Sequence, residues 1–154
     1  MKINAYDDIK VITSVKPQSI TGSSAVNGAS VDTLGTDNAK IHAYAVAASG
    51  SPSAATLAVK LQESSDGTGS GAGAWGDALD NTGVVIGFTL DVHAADGFSA
   101  ARIEGLGLNR KRYLRVVATP TFTGGSSPAI VANAEIVFGG GTSPLPIGSA
   151  VSNT

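Results

Sequence analysis

The spacing of the apolar residues is the feature that most limits what this chain can fold into, because they alternate along it instead of recurring at helical intervals. In ATLAVKLQES, Leu57, Val59 and Leu61 share one face, and in PAIVANAEIVFG every second residue from Ile130 to Phe138 is apolar. Period-two alternation is typical of an antiparallel strand with one buried face, whereas an amphipathic helix needs a period of 3.6. The pattern therefore predicts strands.

Three other stretches show the same periodicity: GVVIGFTLD, YLRVVATP and AKIHAYAVAA. In the last of these Ile41 falls on one face and Tyr44 and Val46 on the other, which predicts a strand covered on both sides. Segments such as SGSPSAA, LDNTG, AADG and TGGSSP separate the strands and are rich in turn-forming residues. We expect an all-β fold of about eight strands, a two-sheet antiparallel sandwich or jelly roll with extended terminal arms. The predicted core is Leu57, Val59, Leu61, Ile86, Phe88, Leu114, Val116, Ile130, Ile136 and Phe138.

The length of 154 residues suits one domain with a substantial core. We assign residues 19–141 to the sandwich, residues 1–18 to a first strand or an N-terminal arm, and residues 142–154 to an extended C-terminal tail. Proline restricts the tail to extended conformations, which favours strand-like docking, although a disordered end is the alternative. The apolar residues of the two terminal segments that we expect to contact a partner are Ile3, Tyr6, Ile9, Val11, Leu145 and Ile147.

The stretch RKRYLRVVATPTF places Arg110, Lys111, Arg112 and Arg115 within six positions of a chain whose formal charge is -2. One interpretation is a charged loop that enters a central strand. The other is a contact with an acidic protein surface or with phosphates. Nucleic acid is the less favoured partner, because overall charge is not basic and only Tyr113 interleaves the cluster, whereas single-strand binding needs several stacking platforms. We therefore expect no nucleic-acid partner.

Other chemistry is poorly supported. The chain has no cysteine, and His42 and His93 fall on different predicted elements without further ligands at metal-binding spacing. The glycines of DGTGSGAGAWG are not followed by a helix and lysine, as a phosphate-binding loop requires. No nucleophile, base and orienting group can be assembled from the acidic residues. We expect no enzyme activity, no cofactor and no metal.

The long glycine-rich loop contains the lone tryptophan, Trp75. The ring could stack on a sugar or cap one end of the sandwich, and the cap is favoured because such a residue is commonly tucked in. No run approaches 18 apolar residues, and two acidic residues stand where a signal peptide would be apolar. We therefore expect a soluble protein with no membrane partner, not exported by the ordinary route.

Four segments, NAYDDIKV, VKLQESSDG, RKRYLRVVATPTFTGGSSPA and IVFGG, resemble a family of small structural proteins of tailed bacteriophages and prophages. The chain departs from that pattern in its longer glycine-rich loop at residues 66–76 and in its tail TSPLPIGSAVSNT. The resemblance implies a virion protein, most directly a decoration or cement protein that binds and stabilises the exterior of the capsid. Its partners would be the major capsid protein and copies of itself, after assembly in the host cytoplasm.

Three functions follow from these observations. The first is capsid decoration, in which a modest contact repeated over a lattice supplies the affinity, and a closed ring such as a homotrimer multiplies that contact. The second is another virion component, a tail, neck or baseplate β-domain. The third is a glycan-binding β-sandwich that uses Trp75 and the glycine-rich loop.

Overall fold

The computed structural model describes residues 9–36, 38–103 and 110–139, and it shows a protein built of antiparallel strands. The strands are β1 (Ile9–Thr21), β2 (Val26–Asn27), β3 (Val31–Asp32), β4 (Asn38–Ala45), β5 (Ala54–Ser64), β6 (Gly76–Asp77), β7 (Gly87–Asp91), β8 (Gly97–Ile103), β9 (Tyr113–Thr123) and β10 (Ala129–Gly139). Among the described residues the one helical element is a 3-10 turn at Gly71–Gly73. The prediction of an all-β fold is confirmed.

The strands form two sheets with a jelly-roll arrangement. Sheet A has the order β1-β10-β4-β8, and in sheet B β9 lies between β5 and the short pair β2 and β3, while β6 and β7 both flank the other side of β5. If β2 with β3 and β6 with β7 are each counted as one interrupted strand, the ten strands occupy eight positions, four in each sheet. The first strand thus pairs with the last, and every connection crosses between the sheets except those that join β2 with β3 and those that join β5, β6 and β7 within sheet B, as in a jelly roll.

The core lies between the sheets and consists of the inward-facing residues of both. Nine of the ten predicted core residues are buried, and Phe88 is half-buried. Phe88 lies in β7, which pairs only with β5 and so leaves its side chain at the margin of the core.

The predicted burial of both faces of β4 is wrong. Ile41 is fully buried, but Tyr44 and Val46, on the opposite face, are 40% and 38% exposed. A jelly roll has only two sheets, and no described residues form a third layer over the outer face of sheet A. The outer face of β4 carries small and apolar residues, so its sequence pattern resembles that of a central strand that is buried on both faces.

The N-terminal segment belongs to the body from residue 9 onward. Strand β1 pairs with β10 along its length, with register shifts between Thr13 and Val15 and between Val15 and Gln18, and Pro17 lies within the second shift. Proline is tolerated on an edge strand at such an irregularity because the missing N–H removes no ladder bond. The division drawn at residue 18 falls inside β1, which continues to Thr21, and residues 1–8 lie outside the described residues.

Ser14 fastens this edge strand to the opposite sheet. Its buried hydroxyl donates to the Ala29 carbonyl oxygen at 3.0 Å and accepts from the Val116 amide of β9 at 3.0 Å. Gly28 crosses directly above it, and a Cβ on Gly28 would lie within 2.8 Å of the Ser14 backbone. The hydroxyl thus satisfies polar backbone groups where β1 irregularities interrupt the ladder.

Candidate interaction surfaces

Several candidate residues lie at one end of the sandwich, which we call the terminal end because β1 begins and β10 ends there. Ile9 pairs with Gly139, and Asn38, which begins β4, pairs with Gly139 on the other side. After β1 the chain runs back toward the terminal end as β2 and then β3, which pair antiparallel with β9. Val26 lies opposite Ala118, and Val31 lies opposite Leu114. Strand β9 and the basic residues before it therefore start at the same end.

An apolar groove of about 460 Å³ opens at the terminal end, beside sheet A. Ile9 at its rim is 47% exposed and Val11, two residues along β1, is 54% exposed. The groove is lined by Ile9, Asn38, Ala39, Lys40, Val137, Phe138 and Gly139. Ile3, Tyr6, Leu145 and Ile147, which the sequence also assigns to partner contact, lie outside the described residues.

Arg112 of the basic cluster is engaged within the chain. Its Nε and Nη2 donate to Asp32 Oδ1 and Oδ2 at 3.0 Å and 2.7 Å, and its guanidinium carbon lies 5.2 Å from the centroid of the Tyr113 ring. The hydrogen bond from Arg112 holds the pKa of Asp32 below its ordinary value. Because the two side chains are 48% and 42% exposed, this pair contributes little to stability but neutralises the charge of Arg112 locally.

Arg110 and Lys111 differ in their surroundings. Arg110 Nη1 lies 3.9 Å from Glu63 Oε2, and the arginine side chain is only 8% exposed. The backbone amide of Lys111 donates to the same Glu63 oxygen at 3.3 Å, while its side chain is exposed and its ammonium pairs with no described residue. The residues do precede a strand, as one interpretation predicted; contact with an acidic partner stays a prediction, and Lys111 is the best placed for it.

Trp75 is covered and is not an open platform. The Arg115 guanidinium carbon lies 4.5 Å from the centroid of the indole, and Gly69 comes so close that a Cβ there would lie 2.5 Å from the ring. Arg115 is itself held by Gln62, whose Oε1 accepts from its Nε at 3.0 Å and from its Nη2 at 2.7 Å. This packing favours the cap over the sugar platform for Trp75.

The network on the outer face of sheet B extends beyond Arg115. Gln62 Nε2 donates to Asp77 Oδ1 at 2.9 Å, and Lys60 Nζ lies 2.7 Å from the same carboxylate. The hydrogen bond from Lys60, and then that from Gln62, lowers the pKa of Asp77. These polar side chains satisfy one another within the chain, so this face has few unpaired charges to offer a partner.

The glycine-rich loop is organised by internal hydrogen bonds. Asp66 Oδ1 accepts from the Thr68 amide at 2.8 Å and from its hydroxyl at 2.9 Å, which lowers the pKa of the carboxyl. The Ser64 hydroxyl, buried at the end of β5, donates to the Gly73 carbonyl oxygen. A side chain at Gly73 would overlap the Asp66 carboxylate, so glycine is needed there for close packing and not for phosphate binding.

The sequence interpretation missed a second exposed surface, which we call the distal patch. It lies on the outer face of sheet A toward the end away from Ile9, around Phe98, which is 65% exposed. His42 packs against this ring edge-on, with centroids 5.7 Å apart and planes at 86°. A depression of about 90 Å³ at this place is lined by His42, Ala43, Tyr44, Phe98, Asn133 and Glu135. Strand β8, GFSAARI, carries small residues on its faces, so its alternation is weak; only Phe98 beside a turn signal hinted at an exposed aromatic residue.

The described residues contain no group of three histidine, cysteine or acidic side chains placed to hold a metal ion. Over these same ranges, no helix is long and apolar enough to span a membrane.

No protein-family model matches the sequence, and the comparison with curated proteins finds no match. Among solved structures the chain is similar to the PBSX exported protein XepA, with 13% identity and a TM-score of 0.50 over the whole of this chain and 44% of that one. It also aligns with a structure of infectious bursal disease virus, Gx strain, at 15% identity and a TM-score of 0.48, over 88% of this chain and 33% of that one. An alignment with desmodium yellow mottle tymovirus has 14% identity and a TM-score of 0.30, over 92% of each chain. This chain thus spans less than half the length of the first two, and the likeness to XepA concerns the fold.

Proposed function

We propose that this protein is a structural component of a tailed-phage particle, a decoration protein that attaches to the outside of the capsid through its terminal end. The observation that carries the proposal is the convergence at that end of an apolar groove and the exposed Ile9 and Val11. The jelly-roll fold and the resemblance of four sequence segments to phage structural proteins support it. We also propose that the protein has no catalytic activity.

Attachment would depend mainly on apolar contact. Ile9, Val11 and the walls of the groove offer a surface that loses water on docking, and such burial stabilises a complex in proportion to its area. Lys111 adds an unpaired positive charge at the same end, while Arg110 and Arg112 maintain the loop geometry through Glu63 and Asp32. The basic cluster therefore has a smaller role than its sequence indicates.

Copies of the chain would act together. One small contact surface is weak alone, but a closed ring, for which a trimer is our hypothesis, binds several equivalent sites at once and gains avidity. Sedimentation at micromolar concentration tests this part separately: a trimer is expected, and a monomer would restrict trimer formation to the particle surface.

A pair of surface variants tests the docking end. Ile9→Ser with Val11→Ser should leave the fold intact and lower the affinity for purified heads, measured as occupancy well below saturation, by at least about tenfold, a loss of about 1.4 kcal/mol or more in binding. The matched control is Val131→Ser, which changes a 48% exposed valine on the same outer face near the opposite end of β10. Equal occupancy for the double variant and the control would contradict the docking end, and antibody labelling of tails instead of heads would favour the tail, neck or baseplate alternative.

A further inference from the structure

We propose that the distal patch is a saccharide-binding site, in which Phe98 supports the apolar face of a sugar ring and His42, Asn133 and Glu135 hydrogen-bond its hydroxyl groups. The site lies on the outer face of sheet A, away from the terminal end. It goes beyond attachment to a capsid and does not depend on it.

The polar side chains of the patch have hydrogen-bonding groups that no part of the described chain uses. His42, Asn133 and Glu135 are each half-buried, and no described residue forms a hydrogen bond or ion pair with their side chains. Their nitrogen and oxygen atoms remain accessible to solvent, so donors and acceptors around one depression are available to a ligand. A carboxylate accepts, a carboxamide donates and accepts, and an imidazole does either, which suits hydroxyl groups that both donate and accept.

The Phe98 ring offers an open apolar surface in the patch. Phe98 is 65% exposed although it is large and apolar, and the edge-on contact with His42 supports it from the neighbouring strand. Aromatic faces bind apolar surface while leaving polar groups at their edges free, and the C–H face of a pyranose offers such surface. Phe98 thus has the open ring that the covered Trp75 lacks.

The adjoining residue Tyr44 is fixed in place. Its hydroxyl donates to Asp96 Oδ2 at 2.7 Å, and Asp96 Oδ1 accepts from the Ala47 amide at 2.8 Å. The wall of the depression is therefore set before a ligand arrives, and less conformational freedom is lost on binding.

The size of the depression limits the affinity. At about 90 Å³ it is well below the roughly 300 Å³ of the smallest drug-sized ligand pockets, so it would accept one substituent of a sugar while the ring rests on Phe98. A dissociation constant on the order of 1 mM is expected for one site. Several copies held together would raise the apparent affinity through avidity.

A second copy of this chain fits the patch less well. The cores of protein interfaces are depleted in charged residues, whereas here the Glu135 carboxylate lines the same depression as Phe98 without a cation among the described residues to pair with it. An interface would leave this carboxylate desolvated, and a sugar hydroxyl would satisfy it.

The test is a titration of the isotope-labelled full chain, followed by backbone amide shifts, with three probes: chitotriose, cellotriose and lactose. We expect at least one probe, raised to about 10 mM, to shift amides around His42, Phe98 and Glu135 with a dissociation constant of about 1 mM. Phe98→Ala and Glu135→Gln should each weaken that binding by about tenfold, with otherwise unchanged spectra that show the fold is kept. The control Leu34→Ala removes a 62% exposed apolar side chain elsewhere and should leave binding unchanged.

Two results would overturn the proposal. One is the absence of shifts at the patch with all three probes, or shifts that persist undiminished in Phe98→Ala. The other is self-association of the wild type that Phe98→Ala abolishes in sedimentation, which would make the patch an interface between copies. Because neither measurement involves particles, failure here leaves the capsid proposal to its own test.

Discussion

The outer faces of the two sheets differ in whether their polar side chains have partners within the chain. On sheet B, Arg115, Gln62, Asp77 and Lys60 form a continuous network. On sheet A, the side chains of His42, Asn133 and Glu135 have no hydrogen-bond or ion-pair partner among the described residues, and apolar side chains are exposed from Val11 at one end to Phe98 at the other. The outer face of sheet B, which carries more charge in the sequence, thus has its charged groups paired within the chain. The less charged outer face of sheet A has polar groups that remain available to a ligand or a partner. A run of charges therefore identifies a binding surface only after its internal partners are known.

The sharpest stability contrast within sheet A is between two phenylalanines on opposite faces. Phe138 is 1% exposed and Phe98 is 65% exposed. Phe138→Ala should lower the free energy of unfolding by about 3 to 5 kcal/mol, because it removes buried area and leaves a cavity, whereas Phe98→Ala should change it by less than about 0.5 kcal/mol. Chemical denaturation measures both; similar losses would mean that the outer face of sheet A is covered.

Ser14→Ala tests the link between the sheets. The change leaves the buried Val116 amide without its acceptor and should cost about 1 to 3 kcal/mol in the free energy of unfolding. Ser19→Ala, at an exposed position of the same strand, is the matched control and should have little effect. Equal stability of the two variants would show that Ser14 does not fasten β1 to sheet B.

The charge pairing near sheet B predicts a particular dependence on acid. The folded-state pKa of Asp32 is lowered, so its pairing with Arg112 stabilises the protein above the unfolded pKa of about 3.9 and is lost as pH falls through the lower folded value. Asp32→Asn should therefore be slightly less stable than the wild type at neutral pH, and the difference should be smaller at an acid pH below about 3.9, where Asp32 takes up its proton. Melting temperatures at both pH values check this; a constant difference would contradict the pairing.

The smallest effect is expected at Lys111. Because its ammonium pairs with no described residue, Lys111→Ser should alter the free energy of unfolding by less than about 0.5 kcal/mol. Its effect on particle binding should weaken as salt rises, as for any exposed charge. A large loss of stability in Lys111→Ser would show that the cluster is structural throughout.

The core residues and the strands that carry them were predictable from the sequence. Large apolar side chains at every second position fit a strand with one buried face and no other regular structure. The strands that the sequence did not predict lack this pattern. Strands β2 and β3 have two residues each, and β8 has mostly glycine, serine and alanine around Phe98, which give no clear apolar alternation. Candidate sites were harder, because Arg112 finds Asp32 eighty positions away and Trp75 is covered by Arg115 from another strand. Such pairings depend on strand order, which the alternation alone does not specify.

The most direct test is an electron cryomicroscopy reconstruction of the particle at a resolution that shows side chains. We predict the jelly roll on the outer surface of the head, with Ile9 and Val11 against capsid subunits, Phe98 facing solvent and Arg112 still paired with Asp32. Placement on the tail would contradict it. So would a shell contact through sheet B in which Arg112 has left Asp32 for an acidic residue of the capsid.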